Sequence, residues 1–257
     1  MIKLQCDILI KILLAISLLL FRPGLSLAQD TITPDKIITM FVDHADGGKL
    51  SKRHMQKLLD ALSDAECHVA ITDKLTSSVQ LVFDPRPVSL AIKQRPDYRL
   101  IARAKTTDNA FHVRGAIVVQ ASRGIKNLSS LKNEWISFVS KDSWSGYHLP
   151  LKLLNDAGID EHSNSFYFVG NHIGVVGALL HRDTQVAVTV EPLAKHWAEQ
   201  NNLAIVAVTD EVETGGWWLH RNVSDITMQN CVRAVTGLDG NRYKTLPAWI
   251  GGFVVPD

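Results

Sequence analysis

Apolar positions along the chain follow two alternating spacings. Short β-branched runs predict strands over 37–42, 68–72, 79–83, 98–102 and 111–120. Between the first two, residues 49–65 set Leu50, Leu58, Leu59 and Leu62 on one face of a predicted helix. Further on, predicted strands over 136–139, 166–169, 185–190 and 204–208 take turns with predicted helices over 146–156, 172–181 and 192–200, and a last helix is expected over 225–235. Strands alternating with helix-period stretches across short connections predict an α/β chain with a mostly parallel sheet in each of two lobes. No repeat or linker interrupts it. The chain is expected to cross between lobes near 114–118 and to return near 209–217.

The amino end reads differently. Lys3 precedes an apolar run over 8–21, broken only by Lys11 and Ser17, and Ser26-Leu27-Ala28 supplies the small residues that a signal peptidase reads. This predicts an exported protein with a signal peptide over 1–28, cleaved after Ala28. The run is also shorter than the roughly 20 residues of a membrane-spanning helix. The expected lobes are then 29–115 with 210–257, and 116–209.

The sequence has 27 basic and 26 acidic side chains. The leader accounts for Lys3, Lys11, Arg22 and Asp7, so the rest is nearly neutral. That excludes the broad basic field of a nucleic-acid or membrane-surface binder, and any bound anion must be held by local groups. Cys67 and Cys231 remain beyond the leader, where an oxidising compartment permits a disulfide; two buried thiols are the alternative. No CxxC or HExxH spacing occurs, so neither a metal site nor a cofactor is expected.

The candidate chemistry begins where a strand gives way to a helix, in Trp135-Ile-Ser-Phe-Val-Ser-Lys-Asp-Ser-Trp-Ser-Gly-Tyr-His148. Ser143 or Ser145 can cap the helix, Gly146 allows close approach to the backbone, and the first turn contains no acidic residue to answer its partial positive charge. An ordinary serine cap explains the same residues. A second junction of this kind, Phe168-Val-Gly-Asn-His172, places His172 at the same sheet edge, where ligands of open α/β sheets bind. Ser143, Trp144, Ser145, Gly146 and His172 are therefore the expected ligand-binding residues, with no catalytic residue among them.

Arg114-Gly-Ala-Ile-Val-Val119, Ser122-Arg-Gly-Ile-Lys126, Ser143-Trp-Ser-Gly-Tyr-His-Leu-Pro150, Asn155-Asp-Ala-Gly-Ile159 and Phe168-Val-Gly-Asn-His172 together resemble the phosphate/phosphite/phosphonate-binding family of ABC-transporter periplasmic proteins. The resemblance runs from about residue 114 to 208 and is weak over 30–110. It implies a type 2 periplasmic-binding fold whose two lobes close on a small anion without catalysis. It also implies that Ser143, Ser145 and His172 contact the anion, and that the partner is an ABC permease, the protein meeting the membrane only through that partner.

Two positions depart from the family pattern. Val88, in Asp84-Pro-Arg-Pro-Val88, stands where a ligand-facing tyrosine is usual. Gln185 stands where an aspartate is usual, which puts an aminoalkylphosphonate ligand in doubt. Arg86 either faces the crevice or is an exposed loop residue. Trp217 and Trp218 either line the crevice or pack in a core. Other readings keep the fold as a sensor signalling to a histidine kinase or chemoreceptor, or make Ser143, His172 and Glu191 a hydrolase triad.

Overall fold

The computed structural model describes residues 37–47 and 51–256. The predicted signal peptide and Leu50 lie outside them. In chain order the strands and helices begin β1 (Ile38–Val42), α1 (Lys52–Asp64), β2 (Val69–Ile71), β3 (Leu81–Asp84), α2 (Val88–Gln94) and β4 (Tyr98–Thr106). They continue β5 (His112–Val113), β6 (Gly115–Gln120), β7 (Trp135–Phe138), α3 (Leu149–Asp156), β8 (Ser165–Phe168), α4 (His172–His181), β9 (Val186–Val190), α5 (Glu191–Asn201) and β10 (Leu203–Val208). The chain closes with β11 (Val212–Glu213), β12 (Gly216–His220), α6 (Asp225–Thr236) and β13 (Ile250–Val254).

Two sheets carry the α/β fold. The first is ordered β13-β4-β12-β3-β1-β2 and the second β10-β6-β9-β7-β8, with β5 and β11 forming a separate two-stranded ribbon. The expectation of mostly parallel sheets fails. β1 runs parallel to β2 and β3, and β7 to β8 and β9, but every pairing made by β6, β12 or β13 is antiparallel. The cause lies in the crossings. β6 arrives from the first sheet and inserts between β9 and β10, against both; β12 arrives from the second and inserts between β3 and β4, against both. Hydrophobic periodicity reports which face is buried and carries no strand direction.

The run expected as one strand over 111–120 is broken at Arg114. Its first part pairs with β11 in the ribbon and its second is β6, because the chain changes sheet there. Gly115 and Thr209 bond to each other at this point, the Gly115 amide donating to Thr209 Oγ1 at 2.9 Å and the Thr209 amide to the Gly115 carbonyl at 2.9 Å.

Each sheet is buried on both faces. Along β6, Ala116 and Val118 join Val175, Val176 and Leu179 of α4 on one side, while Ile117 and Val119 join Phe138 and Leu154 on the other, as period-two alternation requires. In the first sheet Trp217 packs with Phe83 and Phe253, and Trp218 turns to Val79, Val82 and Ala91. Both indoles are thus core residues. Cys67, ahead of β2, and Cys231, in α6, are joined by a disulfide with 4.7 Å between their α-carbons. No helix of the described residues is long and apolar enough to cross a membrane.

Candidate functional site

The site grows from the two junctions at the carboxyl edge of the second sheet. After β7 the chain turns through Ser140–Ser143 in sequence and enters a single π-helical turn, Trp144–His148, whose His148 amide reaches back to the Ser143 carbonyl at 3.0 Å. One extra residue per turn is a local widening often found at binding sites. α3 continues from it, with Pro150 in the first turn, where its missing N–H has no bond to forfeit. The helix expected from Gly146 is therefore a wide turn followed by an α-helix.

Gly146 is required by this turn. A β-carbon there would lie 2.4 Å from Val139 Cγ2 and 2.7 Å from Ser143 Oγ. Its amide donates to Ser143 Oγ at 2.9 Å, so it is spent on the cap. Trp144 projects toward the cleft with His148, their rings 5.1 Å apart. Ser143 and Ser145 are both buried, and the Ser145 hydroxyl has no partner.

At the second junction Asn171 caps α4, its side chain accepting from the Gly174 amide at 2.7 Å. His172 follows, 1% exposed. The Val190 amide donates to His172 Nδ1 at 3.1 Å, which fixes Nδ1 as an acceptor and puts the proton of the neutral ring on Nε2. Nε2 is buried and makes no hydrogen bond.

The position expected to stand open is occupied by Asp46, from the turn after β1 in the first sheet. Its carboxylate accepts a close hydrogen bond from the Ser143 hydroxyl, and the same Oδ1 lies 3.7 Å from His172 Nε2. Asp46 is 5% exposed. The negative charge missing from the local turn thus comes from the opposite lobe. The loop carrying it is braced: Asp43 Oδ1 accepts from the Ala45 amide at 2.9 Å, and Ser140 Oγ donates across to the Ala45 carbonyl at 2.7 Å.

Beside Asp46 is a cavity of about 330 Å³, lined by Asp43, Ala45, Arg86, Leu90 and Gln94 on one side and Asp142, Trp144 and His148 on the other. Arg86 faces this cavity, but its charge is committed. It bonds both oxygens of Asp84, at 2.9 and 2.6 Å, and Gln94 Oε1 at 2.7 Å. Burial pushes the Asp43 carboxyl above its ordinary range; the Ala45 amide works against that shift, and the charge of Asp84 adds to it. A carboxyl whose folded pKa is raised detracts from stability as pH climbs through the interval above its unfolded value. Asp43→Asn, which keeps the acceptor, is expected to raise the melting temperature at pH 7 and to lose that advantage near pH 3.5. Calorimetric melts at both pH values check this.

The remaining residues singled out in the sequence are engaged with other partners. Gln185 lies at the opposite edge of the sheet, its Oε1 accepting from the Trp135 amide at 2.8 Å, so its identity has no bearing on an alkylammonium group at the site. Val88 packs with Val82, Ala91 and Trp218. Glu191 pairs with Lys195 at 2.9 Å. Sequence reasoning missed Asp46, Asp43 and Asp142. The one available signal was the pair of carboxylates directly following β1, at the edge where such sheets bind ligands.

Comparison with known proteins places this geometry. No curated protein sequence matches the chain. Among solved structures it is similar to PhnD1 from Prochlorococcus marinus in complex with methylphosphonate, at 16% identity and a TM-score of 0.64 over 87% of this chain and 93% of that one. It is also similar to a binding protein component of an ABC phosphonate transporter from Pseudomonas aeruginosa, at 13% identity and 0.59 over 86% and 82%. A Xanthomonas citri protein solved with ATP gives 14% and 0.55 over 86% and 92%. At these identities the likeness establishes the two-lobed type 2 periplasmic-binding fold. The model of the ABC-transporter phosphonate periplasmic substrate-binding proteins matches residues 52–257, and this chain belongs to that family.

Proposed function

We propose that the protein is exported, loses its leader after Ala28, and captures a small oxyanion between lobes 29–115 with 210–257 and 116–209 for delivery to an ABC permease. The observation that carries this reading is that Ser143 already holds a carboxylate oxygen between the sheets, with His172 Nε2 facing the same oxygen at 3.7 Å. A seat that accepts the oxygen of Asp46 has the donors to accept an oxygen of a free phosphate- or phosphonate-like group. The start of α4 adds the partial positive charge of a helix amino end.

Binding without catalysis is part of the proposal. A serine hydrolase needs a histidine nitrogen free to take the serine proton, yet Nδ1 is engaged by the Val190 amide and Nε2 carries the hydrogen. The family match supports transport over the sensor role.

Calorimetry against phosphate, phosphite, methylphosphonate, sulfate and acetate tests the reading. One of the tetrahedral anions is expected to bind, and Ser145→Ala and His172→Ala are each expected to weaken it about 10- to 100-fold, the usual effect of losing one hydrogen bond to a charged group. Unchanged affinity in both variants would remove these residues from the site.

A further inference from the structure

Asp46 is a first-lobe carboxylate lodged among second-lobe donors, and we propose that it is a tethered surrogate for the solute. In this role it occupies the oxyanion seat, holds the lobes together when no solute is present, and sets the threshold that a free anion must exceed. The inference rests on the anion-binding reading above and identifies the residue that limits affinity and selectivity.

Three contacts cross the cleft from one short loop: Ser140 Oγ to the Ala45 carbonyl, the Ser143 hydroxyl to Asp46, and His172 Nε2 facing Asp46. The loop presents its carboxylate in a fixed pose. Besides the Asp43 bond to Ala45, the Gly47 amide closes a turn onto the His44 carbonyl at 3.1 Å. A charged group placed this way competes at the effective concentration of an intramolecular partner, without diffusing in.

The carboxylate fits the seat incompletely. A single oxygen serves both Ser143 and His172, and its 3.7 Å from Nε2 is too long for a hydrogen bond. The Ser145 hydroxyl and His172 Nε2 are both buried without partners. A buried donor left unmade is unfavourable, so a guest that satisfies Nε2 gains more than the resident does. A planar carboxylate from solution offers no more than Asp46 already supplies. A tetrahedral group with three terminal oxygens and a larger charge does, and it alone displaces the resident effectively. The apparent affinity is the intrinsic affinity multiplied by the fraction of molecules in which Asp46 has vacated the seat.

The test compares the native chain with Asp46→Ala and with Asp46→Asn, which retains the shape and the Ser143 acceptor without the charge. Calorimetry uses methylphosphonate, phosphate and acetate, and small-angle scattering is recorded without ligand. Asp46→Ala is expected to bind methylphosphonate at least tenfold more tightly than the native chain, with Asp46→Asn in between, and to gain acetate binding that the native chain lacks. Without ligand, Asp46→Ala is expected to be more expanded than the native chain and to contract when methylphosphonate is added. Equal or weaker methylphosphonate binding by Asp46→Ala overturns the proposal. If no protein binds any of the three anions, the anion-binding reading itself fails. Scattering then decides the latch alone: a more expanded Asp46→Ala sustains it, and equal radii overturn it.

Discussion

Replacing Cys67 and Cys231 together with alanine is expected to lower the unfolding free energy by about 5 kcal/mol, and urea titration with and without a reductant measures it. The bridge joins residues 164 apart in sequence, so it closes most of the described chain into one loop. In the chain-entropy account, a cross-link of that span removes about 5 kcal/mol of freedom from the unfolded state. Both cysteines lie in the first-sheet core with Leu58, Leu62, Ala234 and Val235, so the double variant also loses packed sulfur. A loss below about 2 kcal/mol would show that the unfolded chain is not constrained by this pair.

The second large effect is expected at Asp84, the last residue of β3. It is fully buried beneath two guanidinium groups: Arg86 at 2.6 Å, on the cavity wall, and Arg95 at 2.9 Å, itself 6% exposed. Asp84→Asn leaves Arg95 buried with its charge uncompensated, for which about 3–5 kcal/mol of destabilisation is expected. It also frees Arg86 from its anchor at the cleft. Burial works to raise the Asp84 carboxyl, but the hydrogen bond and charge of Arg86, with the charge of Arg95, outweigh it and hold the group below the ordinary carboxylate range. The sign follows from linkage. A depressed folded pKa contributes stability above the unfolded value of about 3.9, and that contribution drains away as pH falls through the folded value. The difference between native and variant chains is therefore expected to be full at pH 7 and to shrink below pH 4. A constant difference down to pH 2.5 would mean that the carboxylate charge plays no part.

Much of the architecture is legible in residue spacing. The π turn and α4 begin at the two junctions picked out by Ser143 and His172, and both lie at the same edge of one sheet. Those residues converge because β7 and β8, the strands that lead into the two junctions, are parallel neighbours, which strand and helix alternation anticipates. What spacing did not reveal depends on distant partners. Val88–Gln94 is a helix that begins after a proline-rich turn without a side-chain cap, so local chemistry gave no start signal. Gly216–His220 is a central strand whose two tryptophans face opposite cores, and its reversed direction is set by where the chain re-enters the first sheet. Asp46 is the clearest case. Its loop reads as a solvated turn, and only the approach of the second lobe gives its carboxylate a purpose.

The placement of β12 also dictates an order of assembly. Residues 115–208 contain every strand of the second sheet, so that half can form as soon as this stretch of chain is available. The other half must wait. Until the stretch 216–220 arrives, β3 lacks its neighbour on one side and β4 lacks both, leaving unpaired strand edges. The final sixth of the polypeptide is therefore a keystone, and a nascent chain released before it is finished would expose the sticky margins that invite aggregation.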